Sequence, residues 1–119
     1  MFQSYLFSIQ KFLLIFLMSF FYFSISAQKV FSVDYSSQAD IKAYVVEYES
    51  QCDLKVYKVD YSSQADGNHG LWYFVDYASQ ADKKIYFVEY ESQSDLKIYF
   101  VKYKSQSGWR KKSKRHLLD

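Results

Sequence analysis

The sequence predicts a compact all-β domain that ends in one short helical turn. A thirteen-residue unit recurs six times between Lys29 and Trp109, and self-similarity at a fixed period indicates one structural unit used repeatedly. The first half of each unit is rich in β-branched and aromatic residues, and the second half is short and polar. The copies start at Lys29, Lys42, Lys55, Leu71, Lys84 and Lys97, with the insert Asn68-His69-Gly70 between the third and fourth.

Positions two to seven of each copy, such as Ile85–Tyr90, predict a strand of six residues. Because side chains alternate along a strand, positions three, five and seven should face the core. The opposite face is mixed: position four is Ser32, Val45 and Lys58 in the first three copies and Phe in the last three, so it should be exposed to solvent in early copies and covered in late ones. The invariant fifth position is Val33, Val46, Val59, Val75, Val88 and Val101, and the invariant seventh is Tyr35, Tyr48, Tyr61, Tyr77, Tyr90 and Tyr103.

The polar half of each copy predicts a tight bend, because Ser and Asp bond readily to nearby backbone. Hairpin signals such as Asp-Gly are confined to Asp66-Gly67, so these bends should carry strands between sheets. The tenth position is always Gln, which we interpret as a buried amide bonding to turn backbone, with ligand contact as the alternative. These residues are Gln38, Gln51, Gln64, Gln80, Gln93 and Gln106.

Residues 1–27 differ from the rest of the chain. Lys11 precedes an apolar run that ends in small residues, the pattern of a secretory signal peptide. Ser24 and Ala27 predict cleavage between Ala27 and Gln28, and hence export to the periplasm or the extracellular space. An uncleaved membrane anchor is the alternative, since about 20 apolar residues can span a bilayer. Residues 28–119 then form a single domain with a basic C-terminal tail.

The chemistry-bearing residues predict no catalytic, cofactor or metal site. The formal net charge of +2 is too small to favour wholesale binding of nucleic acid. Cys52 stands alone where other copies have Ala or Ser, which indicates a small packed side chain. His69 and His116 lie outside any metal-ligand spacing and should be surface residues. The acids at positions six and twelve recur in nearly every copy, which favours a solvated acidic face over a catalytic pair.

The tail combines apolar anchors with a cluster of basic residues. Trp109, Leu117 and Leu118 suggest a helical turn docked on the body. The basic residues could attract an anionic surface by charge alone, although a solvated terminus is the commoner outcome. They are Arg110, Lys111, Lys112, Lys114 and Arg115.

The repeats and their ending resemble a known family. The pattern V-D/E-Y-x-S-Q-x-D, then K-hydrophobic-Y, closes with Ser105-Gln106-Ser107-Gly108-Trp109-Arg110 and Lys114-Arg115-His116-Leu117. Over residues 29–118 this is similar to the Septknot family, small bacterial domains of unknown function. The resemblance implies a compact β-rich monomer whose backbone is tied in a seven-crossing torus knot.

Two functional hypotheses fit these observations. The first is an exported, rigid, non-enzymatic domain that resists proteolysis and binds a cell-surface or envelope partner. The second is a structural, curlin-like fibre protein of the extracellular matrix, since repeated Ser, Gln and aromatic strands can stack as cross-β. Acids and lysines in the repeats weigh against stacking in register, because like charges would repel.

Overall fold

The computed structural model describes residues 28–119, so the predicted signal segment lies outside the described residues. Each repeat forms one strand followed by a short 3₁₀ turn. The strands are β1 Lys29–Ser32, β2 Ile41–Val45, β3 Leu54–Lys58, β4 Leu71–Phe74, β5 Lys83–Phe87, β6 Leu96–Phe100 and β7 Gly108–Trp109. The 3₁₀ turns are Ser36–Gln38, Glu49–Gln51, Ser62–Gln64, Ala78–Gln80, Glu91–Gln93, Lys104–Gln106 and the C-terminal Lys112–Leu118.

The first six strands form a closed parallel β-barrel. Their order is β4-β1-β5-β2-β6-β3, and pairing of β3 with β4 closes the ring. The short β7 pairs with β3 in the antiparallel direction. At four of the five steps along the chain, consecutive strands are separated by one intervening strand, and only β3 and β4 are neighbours. The two halves of the repeat array are thus interleaved around the barrel.

The strands are so strongly staggered that short connections suffice. Ser32 at the end of β1 and Ile41 at the start of β2 both pair with Ile85 of β5, from opposite sides. Parallel strands ordinarily need a crossover of a dozen or more residues because the chain must return along the sheet. Here residues 33–40 only step across one strand, which explains how a thirteen-residue repeat can build a parallel barrel.

Each connection is held to the strand it crosses by repeated backbone bonds. The position-five Val donates its N–H to the position-two carbonyl of another repeat, as Val33 does to Ile85 at 2.9 Å. The position-twelve Asp forms a two-bond ring with a position-one Lys: Asp40 N–H donates to the Lys84 carbonyl at 2.8 Å, and Lys84 N–H donates to Asp40 Oδ2 at 2.8 Å. Asp53, Asp82 and Asp95 make the same ring. The expectation that these carboxylates only form a solvated face is therefore wrong at position twelve.

The predicted core face was half right. The position-five valines are buried in four copies and half-buried at Val75 and Val101, which confirms that part. The position-seven tyrosines are 60–68 % exposed, so their assignment to the core was wrong. The strands run from position thirteen or one to position four, so the alternation that places positions thirteen and two inside ends before positions five and seven. The barrel interior is filled from positions thirteen and two: Val30, Ile41, Ala43, Leu54, Val56, Trp72, Ile85, Leu96 and Ile98.

The two ends of the barrel are closed differently. At the C-terminal ends of the strands, position four carries Phe74, Phe87 and Phe100, which pack against the core, while Ser32 is exposed. This confirms the predicted change from wet to covered along the repeats. Lys58 Nζ lies 5.0 Å from the ring centroid of Phe74 and 4.6 Å from that of Phe100, which completes this end by cation–π contact.

The C-terminal tail docks on the body, as predicted, and covers the opposite end of the barrel. Leu118 is buried in the core cluster, with Leu117 and Trp109 packed against it. Gln28 Nε2 donates to the Leu118 carbonyl at 3.0 Å, and Gln28 directly precedes β1. The short C-terminal helical turn predicted from the sequence is the 3₁₀ turn Lys112–Leu118.

The insert after the third repeat receives this tail. Asn68 is buried; its Nδ2 donates to the Arg115 carbonyl at 3.1 Å and to Asp119 Oδ1 at 2.9 Å. Trp109 Nε1 donates to the Asn68 carbonyl at 3.0 Å. The backbone register near the insert is set by pairing of Tyr57 with Leu71. The residues that interrupt the repeat are thus those that hold the chain end.

Candidate functional site

The exposed tyrosines form a repeated feature of the barrel surface. Each position-seven Tyr is the N-terminal cap of a 3₁₀ turn, in extended conformation with φ between −119° and −130°. Their side chains are 60–68 % exposed and therefore lie outside the barrel interior. Exposing a large ring six times is unusual, since the ordinary use of Tyr is burial with an outward hydroxyl. The six Tyr-x-Ser-Gln turns are therefore candidate binding elements.

The position-ten glutamines are exposed in all six turns, so the predicted burial was wrong. Their predicted bonding to turn backbone is confirmed in two copies. Gln64 Oε1 accepts a hydrogen bond from the Tyr61 N–H at 3.2 Å, and Gln106 Oε1 accepts one from the Tyr103 N–H at 3.3 Å. This bond occupies the carbonyl oxygen and leaves the amide NH₂ facing solvent, where it can donate to a ligand.

Two grooves on the outer surface are built from equivalent repeat positions. The first, of about 400 Å³, is lined by Lys29, Ser62, Tyr73, Val75, Asp76 and Gln80. The second, of about 390 Å³, is lined by Phe31, Val33, Ser37, Gln38, Ala78 and Lys84. Each combines the aromatic ring of position three, the Val of position five and the Gln of position ten from one repeat. Each adds a small position-eight side chain and a position-one Lys from other repeats.

Sequence reasoning did not find these grooves. Tyr73 and Lys29 are brought together by the pairing of β4 with β1, and Phe31 and Lys84 by the pairing of β1 with β5. Both pairings join residues from distant copies. The one sequence signal was the aromatic third position, which the predicted strand placed on the core face and which is half-buried in the structure.

The chemistry-bearing residues do not converge on a reactive centre in residues 28–119. His69 and His116 are exposed, as predicted, and no three His, Cys, Asp or Glu side chains of the described chain are grouped as metal ligands. Cys52 is buried, in agreement with its interpretation as a small packed residue, and burial raises the pKa of its thiol. A raised pKa leaves less thiolate and makes the residue a poorer nucleophile.

Part of the basic tail is engaged within the protein. Arg110 Nη1 donates to backbone carbonyls of the second 3₁₀ turn, among them Ser50 at 2.6 Å. Lys114 Nζ lies 3.2 Å from Asp53 Oδ2 and donates to the Asp95 carbonyl at 3.0 Å. Lys111, Lys112 and Arg115 are exposed. Any attraction to an anionic surface would therefore depend mainly on these three.

No helix within residues 28–119 has the length and apolar character needed to cross a bilayer. No curated protein and no solved structure matches the chain. A family model described as the Septknot, or 7(1) septoil knot, domain matches residues 27–110. The interleaved winding of the strands and the tail held across the barrel end are consistent with that knot. The chain therefore belongs to the Septknot family.

Proposed function

We propose that this protein is an exported, rigid, non-enzymatic domain that binds carbohydrate of a cell surface or envelope through its Tyr-x-Ser-Gln turns. The observation that carries the proposal is the exposure of the same tyrosine, at 60–68 %, in all six turns. Aromatic rings supply large contact area at low cost in conformational entropy, and neighbouring amide and hydroxyl groups supply hydrogen bonds. A carbohydrate polymer offers apolar ring faces and hydroxyls at regular intervals, which matches a repeated array.

Rigidity supports this proposal. The position-five backbone bond fixes the start of all six connections to the barrel, and the position-twelve ring fixes the end of four of them, so ordering of the turns adds little to the cost of binding. Several weak contacts on one rigid body can also act together, because the first contact raises the effective concentration for the others.

A polysaccharide panel tests the proposal. Purified protein is sedimented with insoluble cellulose, chitin and peptidoglycan sacculi, and titrated with soluble polygalacturonate. We expect retention by at least one polymer, a loss of binding in Tyr35→Ala/Tyr77→Ala, and its recovery in the corresponding Phe variants. Glu47→Ala/Glu89→Ala, which removes two exposed position-six side chains, is the control and should bind as the unaltered protein does. Binding to none of the four polymers would overturn the proposal.

The proposed export has its own test. N-terminal sequencing of protein recovered outside the cytoplasm should begin at or near Gln28. Recovery of chains that still carry Met1 would contradict cleavage and favour the anchored alternative.

The fibre alternative has weaker physical support. Each of the six barrel strands has a hydrogen-bonded neighbour on both sides, so cross-β growth would require the barrel to open. Light scattering should report a monomer that does not grow on seeding. Seeded fibrils that bind amyloid dyes would establish the alternative instead.

A further inference from the structure

The repeat places an aromatic ring, a lysine and a position-eight side chain together at several places on the barrel wall. In the groove over Phe31 these are Lys84 and Ala78, and in the groove over Tyr73 they are Lys29 and Ser62. The strand register brings Lys97 beside Tyr44 and Lys55 beside Tyr99 in the same way. These places therefore share one architecture and differ in the residue at position eight.

Where position eight is Glu, the lysine is already satisfied by the protein. Glu91 Oε1 lies 2.9 Å from Lys97 Nζ, and Glu49 Oε1 lies 3.7 Å from Lys55 Nζ. The Glu91 carboxylate raises the pKa of Lys97 through this hydrogen bond. These two places, over β2 and β6, are called the paired sites.

Where position eight is Ser or Ala, the lysine lacks that partner. Among residues 28–119, no carboxylate forms an ion pair with Lys29, Lys42 or Lys84. Lys29 and Lys84 line the two grooves. Lys42 lies beside Tyr86 of β5 in the strand register, and the position-eight residue of the repeat before Lys42 is Ser36. These three places, over β4, β1 and β5, are called the open sites.

The two kinds of site lie on different parts of the barrel. Strands β4, β1 and β5 are consecutive in the sheet, and β2 and β6 follow them. The open sites are therefore neighbours and form one track, with a lysine beside an aromatic ring at each step. A polymer with one acidic group per unit could occupy successive sites along it.

We propose that the open side of the barrel binds an acidic oligosaccharide of uronate units. Its carboxylates pair with Lys29, Lys84 and Lys42, in the same way as Glu49 and Glu91 pair with their lysines at the paired sites. The glutamates show which group satisfies this lysine: a carboxylate that reaches it beside an aromatic ring. The ring of position three offers a face for the sugar, and the Gln and Ser side chains can bond to its hydroxyls. Asp76 lines the Tyr73 groove and repels a carboxylate, so the Phe31 groove should bind more tightly.

This inference rests on the proposed carbohydrate binding and defines its ligand. The probe is a hexamer of galacturonate, compared with its methyl ester, a neutral glucose hexamer and poly-glutamate, by calorimetric titration of the whole domain in low salt. We expect binding of the galacturonate hexamer, and loss of at least about tenfold in affinity on esterification, the scale of one charge-assisted hydrogen bond. Equal binding of the ester would overturn the inference, and equal binding of poly-glutamate would replace the sugar by an acidic peptide.

Position-eight substitutions test the site itself. Ala78→Glu should fill the open site over Phe31 and lower the affinity, whereas Ser105→Glu adds the same charge to an exposed position of another turn and should not. Glu91→Ser should create a new open site and strengthen binding, whereas Glu89→Ser removes the same charge from the same connection without freeing Lys97. If these pairs behave alike while the tyrosine variants still lose binding, carbohydrate binding stands and the open-site inference fails. If no saccharide binds to any variant, both fail.

Discussion

Replacement of Leu118 by Ala tests whether the tail is part of the core. Leu118 is 1 % exposed and belongs to the main core cluster, whereas its neighbour Leu117 is half-buried. Truncation of a fully buried Leu costs about 2–5 kcal/mol, because apolar contacts are lost and a cavity remains. For a domain of this size each kcal/mol lowers Tm by about 4–8 °C, so a loss near 3 kcal/mol corresponds to roughly 12–24 °C.

Leu117→Ala is the matched control, since it makes the same change one residue earlier at a partly solvated position. Thermal melts and urea unfolding should place Leu118→Ala well below Leu117→Ala. Urea curves need to be recorded from both the folded and the unfolded state, because a knotted chain that refolds slowly would otherwise give an apparent midpoint. Similar losses in the two variants, or a loss below about 0.5 kcal/mol in Leu118→Ala, would refute the description of the tail as core.

Three further predictions concern single positions. Val88→Ala should lower the free energy of unfolding by roughly 1–3 kcal/mol and Lys102→Ala by less than about 0.5 kcal/mol, as measured in urea, and equal effects would contradict the burial of position five. Gly70→Ala should lower Tm sharply, because φ is 86° and the new Cβ would collide with the Lys55 carbonyl oxygen; an unchanged Tm would contradict this packing. Cys52 should resist a thiol reagent at pH 8 until urea unfolds the chain, because burial raises its thiol pKa, and rapid labelling of folded protein would contradict its burial.

The sequence predicted the units of this fold better than their assembly. The repeat, its strand-turn division and the buried Val33 and Val88 follow from local pattern. The inward face does not, because the invariant Val and Tyr lie beyond position four, where each strand ends, and the inward positions thirteen and two are more variable. Element boundaries are the least reliable part of a sequence-based prediction, and here the predicted strand extended past the true strand end into the connection.

The parallel barrel itself depends on pairings that no local pattern contains. Ile85 pairs with both Ser32 and Ile41, so one connection steps across a strand that comes from much later in the chain. The part played by Asp40 was hidden for the same reason. Its acidic side chain predicts solvation, whereas its carboxylate completes a backbone ring with Lys84 of another repeat. Such roles become visible only when the interleaving of the repeats is known.

The insert illustrates how an irregular feature can stabilise a regular array. A barrel made by interleaved winding leaves its last segment without a following repeat to hold it. Trp109 and the C-terminal turn fill that place, and their polar groups need partners that the repeat does not supply. Asn68 supplies them with both its backbone carbonyl and its side-chain amide. The departure from the repeat is therefore a consequence of ending the winding.

The residue at position eight determines whether the neighbouring lysine on the barrel surface has a carboxylate partner. This position lies in the exposed turn, outside the barrel interior, so its identity is not restricted by packing of the core. Glu91 nevertheless reaches Lys97, whereas Ala78 leaves Lys84 without a carboxylate among the described residues. Because the same strand pairing places a lysine beside an aromatic ring in each case, one substitution per repeat is enough to change a site from paired to open. A binding track on one side of a nearly symmetric barrel can thus arise, and be altered, without any change to the fold.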